Sequence, residues 1–100
     1  MLFFSNHARL RIAQRGIPLD TIDFIDRFGE EIELQDGKLA IVMSRRARRA
    51  AAKAGVAIPE AARSLAIVVA FATEVLVTAI RVDADAFIRS LKKRRRGAWQ

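Results

Sequence analysis

Between Leu65 and Val82 two apolar runs, LAIVVAFA (65–72) and EVLVTAIRV (74–82), follow one another almost without a break. Nothing else in the chain leaves so few folds open. A membrane span needs roughly 20 consecutive apolar residues, whereas Leu65–Ile80 offers 16 positions with Thr73 and Glu74 in the middle. The KKRRR run downstream resembles the cytoplasmic flank of such a span, but the short length and the central glutamate favour a soluble protein that makes no membrane contact. The β-branched content selects strands over a buried helix. The Ala-Thr-Glu connection has weak turn chemistry, so it does not fix where one strand ends and the next begins.

A second strand pair precedes it. EEIELQ-DG-KLAIVMS reads as a β-hairpin, because Asp-Gly favours the left-handed backbone of a type I′ turn, which matches strand twist. Its second strand is the more apolar and is expected nearer the sheet centre. Four helices complete the reading. Ser5 caps a first helix from about Asn6 to Arg15, with Gly16 as its stop. Pro18 opens a second, with Leu19, Ile22, Ile25 and Phe28 inward and Asp20, Asp23, Asp26 and Arg27 outward. RRARRAAAKAG (45–55) forms a third, its cations on one side and Ala47, Ala50, Ala51 and Ala54 on the other. A fourth runs from about Asp85 to Arg95. Phe24, Phe28, Phe71 and Phe87 fall at core spacing.

One hundred residues hold one core and not two. The expected fold is therefore a single α+β domain over residues 1–96, with a disordered tail at 97–100. Two N-terminal helices pack on an antiparallel sheet of about four strands, with a basic middle helix and a C-terminal helix.

The net charge is +7, and 14 of the 18 cationic side chains are arginine. Arginine presents a planar fork of donors that fits phosphate, while lysine suffices for solubility. This points to RNA or another polyanion as partner; an arginine bias from a GC-rich genome gives the same composition. In SNHARLRIAQRGIP the lone histidine, His7, precedes Arg11 and Arg15 at intervals of four. At about 100° per residue these three share one arc of a helix with Gln14. Arg45, Arg46, Arg48, Arg49 and Lys53 form a second basic face, which is either a charged outer face over an alanine seam or a surface that follows a nucleic-acid backbone, with Arg45, Arg46, Arg49 and Lys53 as its binding residues. The KKRRR tail reads as a frayed polyanion contact, and Trp99 as a base-stacking side chain or an unremarkable terminal aromatic. Asp20, Asp23 and Asp26 share the wet face of the second helix, solvated or paired with arginines of the first helix or of another molecule. As an acidic stripe beside basic ones they also permit self-association as a homodimer. No cysteine is present, so disulfides and thiolate metal sites are excluded. A second histidine for a His-based metal site, a Gly-rich phosphate loop and a nucleophile elbow are also missing, so neither cofactor nor metal is expected.

HARLRIAQRGIPLDTIDFIDRFGE resembles the N-terminal signature of the bacterial domain-of-unknown-function family 4258: a His-Ala pair, an Arg four after the His, Arg-Gly-Ile, a second helix and a glycine. LAIVMSRRARRAAAKAG resembles the family's strand and basic helix, and LAIVVAF with VLVTAIR its closing strands, so the likeness covers about residues 5–82. The resemblance implies two helices against an antiparallel sheet and kinship with small, cytoplasmic, toxin-like domains that act on RNA, with a cognate inhibitor protein as a further partner. The matching positions are His7, Arg11, Arg15, Gly16 and Arg81. Relatives often carry strand tyrosines; this chain has none, and Ile41 and Ile80 stand at such positions.

Metal-independent RNA cleavage needs a base for the 2′-OH, an acid for the leaving oxygen and cations around the phosphate. An unperturbed imidazole titrates near neutrality, so a histidine such as His7 suits the first or second role. Arg11, Arg15 and Arg81 suit the third. Glu30 or Glu31 is conceivable as the second acid–base group, and the sequence selects neither. A non-catalytic nucleic-acid-binding or protein-interaction module of the same fold fits the same residues.

Overall fold

The central strand of the sheet is β4, Leu65–Ala70. A computed structural model describes residues 2–98, with side chains as far as Leu91. Its elements are β1 (Phe3–Phe4), α1 (Asn6–Gln14), α2 (Leu19–Phe28), β2 (Glu30–Glu33), β3 (Lys38–Val42), α3 (Arg45–Lys53), a short 3-10 helix (Glu60–Ser64), β4, β5 (Val75–Arg81) and α4 (Ala84–Ala98). The strands form one sheet in the order β1-β5-β4-β3-β2. The α+β class stands, but the sheet is mixed and five-stranded instead of four-stranded and antiparallel. The added strand is β1, which pairs parallel to β5 through Phe3–Val75 and Phe4–Leu76. Two residues carry too little periodicity to register as a strand.

Three alternating residues of β4, together with Ile41, Met43, Leu76 and Ala79, meet α1 through Ala8 and Ile12 and α2 through Ile22 and Ile25. On the other face, Val42 and Ala66 meet Ala84, Phe87 and Ile88 of α4. The N-terminal helices thus share one face, and the C-terminal helix covers part of the other.

Local signals account for most boundaries. The Ser5 hydroxyl accepts from Ala8 N–H at 3.1 Å, and the Ser44 hydroxyl does the same for Ala47 before α3. After α1 the chain turns through Gly16 at φ +64°, Ile17 N–H reaches back to Ile12 O, and Gly16 N–H to Ala13 O. This paired closure buries Ile17 against Ile12. In the hairpin, Asp36 and Gly37 both adopt positive φ, and Leu34 N–H donates to Lys38 O. The β4–β5 connection does the same with a non-glycine, Glu74 at φ +55°.

Several expected core positions lie outside. The buried arc of α2 is Thr21, Ile22 and Ile25, centred on Ile25, so Leu19 lies well off it and stays 58% exposed, and Phe28 38%. Phe28 stacks at 4.7 Å on Phe24 instead. Phe71 falls beyond β4, in the turn, and is 67% exposed. In α3 only Ala47 and Ala51 are buried; Ala50 and Ala54 flank that narrow seam and face solvent. The fourth helix continues to Ala98. Side chains from Lys92 onward lie outside the described residues, including the KKRRR run and Trp99, as do the backbone positions of residues 99 and 100 in the expected tail.

Gly29 does more than end α2. A methyl group there would lie 2.5 Å from Ile25 O and 2.6 Å from Ile41 Cγ2, so the helix end rests directly on β3. Gly29→Ala is expected to lower unfolding free energy by about 1–3 kcal/mol through overpacking. Gly16→Ala meets no atoms within 4 Å and is expected to cost about 1–2 kcal/mol through its left-handed backbone alone. Urea midpoints measure both; an unchanged midpoint for Gly29→Ala would mean that α2 lifts freely from β3.

Candidate nucleic-acid interface

Strand register decides which cations meet. Arg81 pairs with Leu65, and Ala66 with Val42. The C-terminal ends of β5 and β3 therefore lie at the same end of the sheet, with the start of β4 between them. At about 4.8 Å per strand, Arg81 and the entry to α3 are roughly 10 Å apart across the sheet. Arg63, in the 3-10 helix one residue short of β4, lies at this end and is exposed.

The C-terminus of α1 joins them. Arg15 Nη1 donates to Ala79 O at 3.1 Å, and Arg81 Nη2 donates to Arg15 O at 3.0 Å. The second contact gives a partner to a helix-end carbonyl that α1 leaves open, and places positive charge where the helix dipole favours it. The first occupies a carbonyl on β5 beyond the reach of β1. Two guanidiniums are thus anchored by backbone oxygens where α1 meets β5, and neither forms an ion pair with a carboxylate among the described residues. Each retains further N–H donors for a ligand.

Arg11 and Arg15 line the narrow cleft between α1 and Leu76–Ala79 of β5. His7 is exposed in the first turn of α1. At 1.5 Å per residue it stands about 6 Å from Arg11 and about 12 Å from Arg15 along the helix axis. Glu30 and Glu31 are on the edge strand β2, three places from β5 in the sheet, so the strand order separates them from α1. Ile41 is buried under α2, while Ile80 is exposed on the face that alternates away from it.

The basic face of α3 is narrower than its composition. Arg45, Arg46, Arg49 and Lys53 are exposed, but Arg48 turns inward. Its Nη1 donates to Met43 O at 2.7 Å, and its Nη2 meets Asp85 Oδ2 at 3.1 Å. Arg48 therefore leaves the exposed basic face and ties α3 to α4. The Arg48 hydrogen bond, aided by the nearby charges of Arg45 and Arg63, holds the Asp85 carboxyl below its ordinary value, against a smaller opposing effect of burial. Arg46 shares a cleft with Glu30, Glu31 and Glu33 of β2, which lowers the positive potential around it. Arg63 was not singled out by the sequence; only its adjacency to β4 reveals it.

On the opposite flank, Asp26 lines a cleft with Glu31 and Glu74. Burial pushes its carboxyl up, and the like charges of Asp23 and Glu74 add to this against Arg27. The acidic stripe of α2 is thus partly drawn into the fold. Among the described residues no three His, Cys, Asp or Glu side chains gather as a metal-binding group. No described helix is long and apolar enough to cross a membrane.

Fold and site together define a small α+β domain with a five-stranded mixed sheet and a cationic end. No family model, curated protein or solved structure matches the chain.

Since the folded Asp85 carboxyl titrates below its ordinary value near 3.8, its bridge stabilises the protein fully above that value and is lost as pH falls through the folded one. Asp85→Asn is expected to flatten this acid limb when unfolding free energy is measured from pH 2 to pH 7. An acid limb identical to wild type would show that the bridge contributes nothing.

Proposed function

We propose that this protein is an RNA-contacting domain that seats the phosphate backbone on the cationic end of its sheet. The observation that carries the reading is the Arg15–Arg81 pair: two guanidiniums positioned by backbone carbonyls, without a neutralising carboxylate among the described residues, at the same sheet end as the exposed cations of α3. Like charges held together in this way are a preorganised seat for an anion. The likeness of HARLRIAQRGI to the family 4258 signature supports the same reading, including its toxin-like, cytoplasmic setting and a cognate inhibitor.

In the catalytic form of the proposal, His7 is the acid–base group of a metal-independent endoribonuclease. A base takes the 2′-OH proton, the 2′-oxygen attacks phosphorus, and the 5′-oxygen leaves with a proton, giving a 2′,3′-cyclic phosphate and a 5′-OH. The spacing divides the cations between two jobs. Arg11, one turn from His7, holds the reacting phosphate. Arg15 and Arg81, a further turn away, hold its neighbour. The second reading, a non-catalytic binding module, is favoured by one observation: His7 has no hydrogen-bonding or ionic partner among the described residues that would orient it.

Cleavage of a mixed RNA pool in EDTA tests the chemistry. The catalytic form expects cleavage by wild type, governed by a group near neutrality and lost in His7→Ala, while RNA affinity is retained. Wild-type binding without cleavage would leave the module. For binding itself, Arg15→Ala and Arg81→Ala are each expected to reduce the slope of log affinity against log salt by about 1. Absence of RNA binding at moderate salt would overturn both readings.

A further inference from the structure

We infer that the groove between α1 and α2 is a homodimer interface, occupied by the same groove of a second copy. Its floor is apolar, with Phe4, Ile12 and Ile17 among its lining residues. Leu19, 58% exposed, extends that apolar surface onto the α2 wall. The charges are divided between the walls, Arg9 on α1 and Asp20 and Asp23 on α2. They do not neutralise each other within the chain. Arg9 and Asp20 have no ion pair among the described residues, and Asp23 has only a 4.0 Å contact with Arg27 in which both side chains are largely exposed.

A two-fold axis requires a patch to complement itself. Laid on its own copy with α1 against α2, this groove sets Arg9 on the partner's Asp20 and Asp23, twice by symmetry, and closes the two Leu19 side chains over a shared apolar floor. Patches of a single sign repel their own copies. The outer edge of β2 carries Glu30, Glu31 and Glu33, and the exposed arc of α3 carries Arg45, Arg46, Arg49 and Lys53. Arg9 and Ala13 lie on the opposite flank of α1 from Arg11 and Arg15, so the dimer leaves both cationic ends open. The inference does not depend on what those ends bind.

Sedimentation equilibrium of wild type over a dilution series tests it, together with Arg9→Glu, Leu19→Ser and the Asp20→Lys/Asp23→Lys double variant. All three alter exposed side chains, and circular dichroism confirms that each is folded. Wild type is expected to be a dimer, with each variant raising the dimer dissociation constant about tenfold or more. An equimolar mixture of Arg9→Glu with Asp20→Lys/Asp23→Lys restores opposite charges at both contacts and is expected to recover dimers at wild-type concentration. A monomeric wild type, a dimer indifferent to all three variants, or a mixture that stays monomeric would each overturn the proposal. Monomeric wild type would leave the groove to a different occupant.

Discussion

β4 has no side that tolerates water. From Leu65 to Val69 every residue is buried, on both faces of the sheet, and both of its edges are paired, to β3 and to β5. Such a strand stabilises the fold only if each face is covered by something else in the chain. Covering one face calls for α1 and α2, and covering the other brings in α4. The size of the side chains then fixes the distances. With Ile41 and Ile67 filling the layer under α2, the helix end is brought against β3 so closely that only glycine fits at position 29. The sheet's polar outer edge follows from the same arrangement, because β2 is the strand with least left to cover.

The cationic end is a by-product of this packing as much as a surface feature. Strand register, rather than sequence proximity, gathers arginines from α1, the 3-10 helix, β5 and the start of α3. Their mutual repulsion is offset locally in two ways. Arg48 is matched by a carboxylate and withdrawn from the surface, whereas among the described residues Arg15 and Arg81 are matched only by carbonyl dipoles. A dipole orients a guanidinium without cancelling its charge, so the second arrangement keeps the potential that the first one removes. The same residue type thus serves as an internal tie on one side of the sheet end and as an exposed positive centre on the other.

Elements with strong local chemistry were legible in the sequence. Ser5 and Gly16 bracket α1, Asp36-Gly37 turns the hairpin, and the β-branched runs become β4 and β5, all from interactions within a few residues. What depended on three-dimensional neighbours was not legible. β1 is defined by its partner and not by its own two phenylalanines. Leu19 and Phe28 match an inward stripe by spacing, yet the face α2 presents to the sheet is rotated so that Thr21 takes a buried place. The candidate site divided along the same line. The helical arc of His7, Arg11 and Arg15 follows from spacing, and the contact between Arg15 and Arg81 does not. Neither the inward turn of Arg48 nor the proximity of Arg63 has a local signal, since each is set by what lies across the sheet.

The two hydrogen bonds that join α1 to β5 connect residues 64 and 66 positions apart in the chain, and β1 finds its only partner in the same late strand. Loop closure of this length must precede any reward from the contacts it makes. During synthesis the first helix therefore emerges long before the strand that seats it. A chain shorter than about 80 residues lacks the strand on which His7, Arg11 and Arg15 are seated, and a helix as short as α1 is marginal by itself in water. The arginine pair is among the last features to assemble, so it belongs to the finished domain and not to a nascent one.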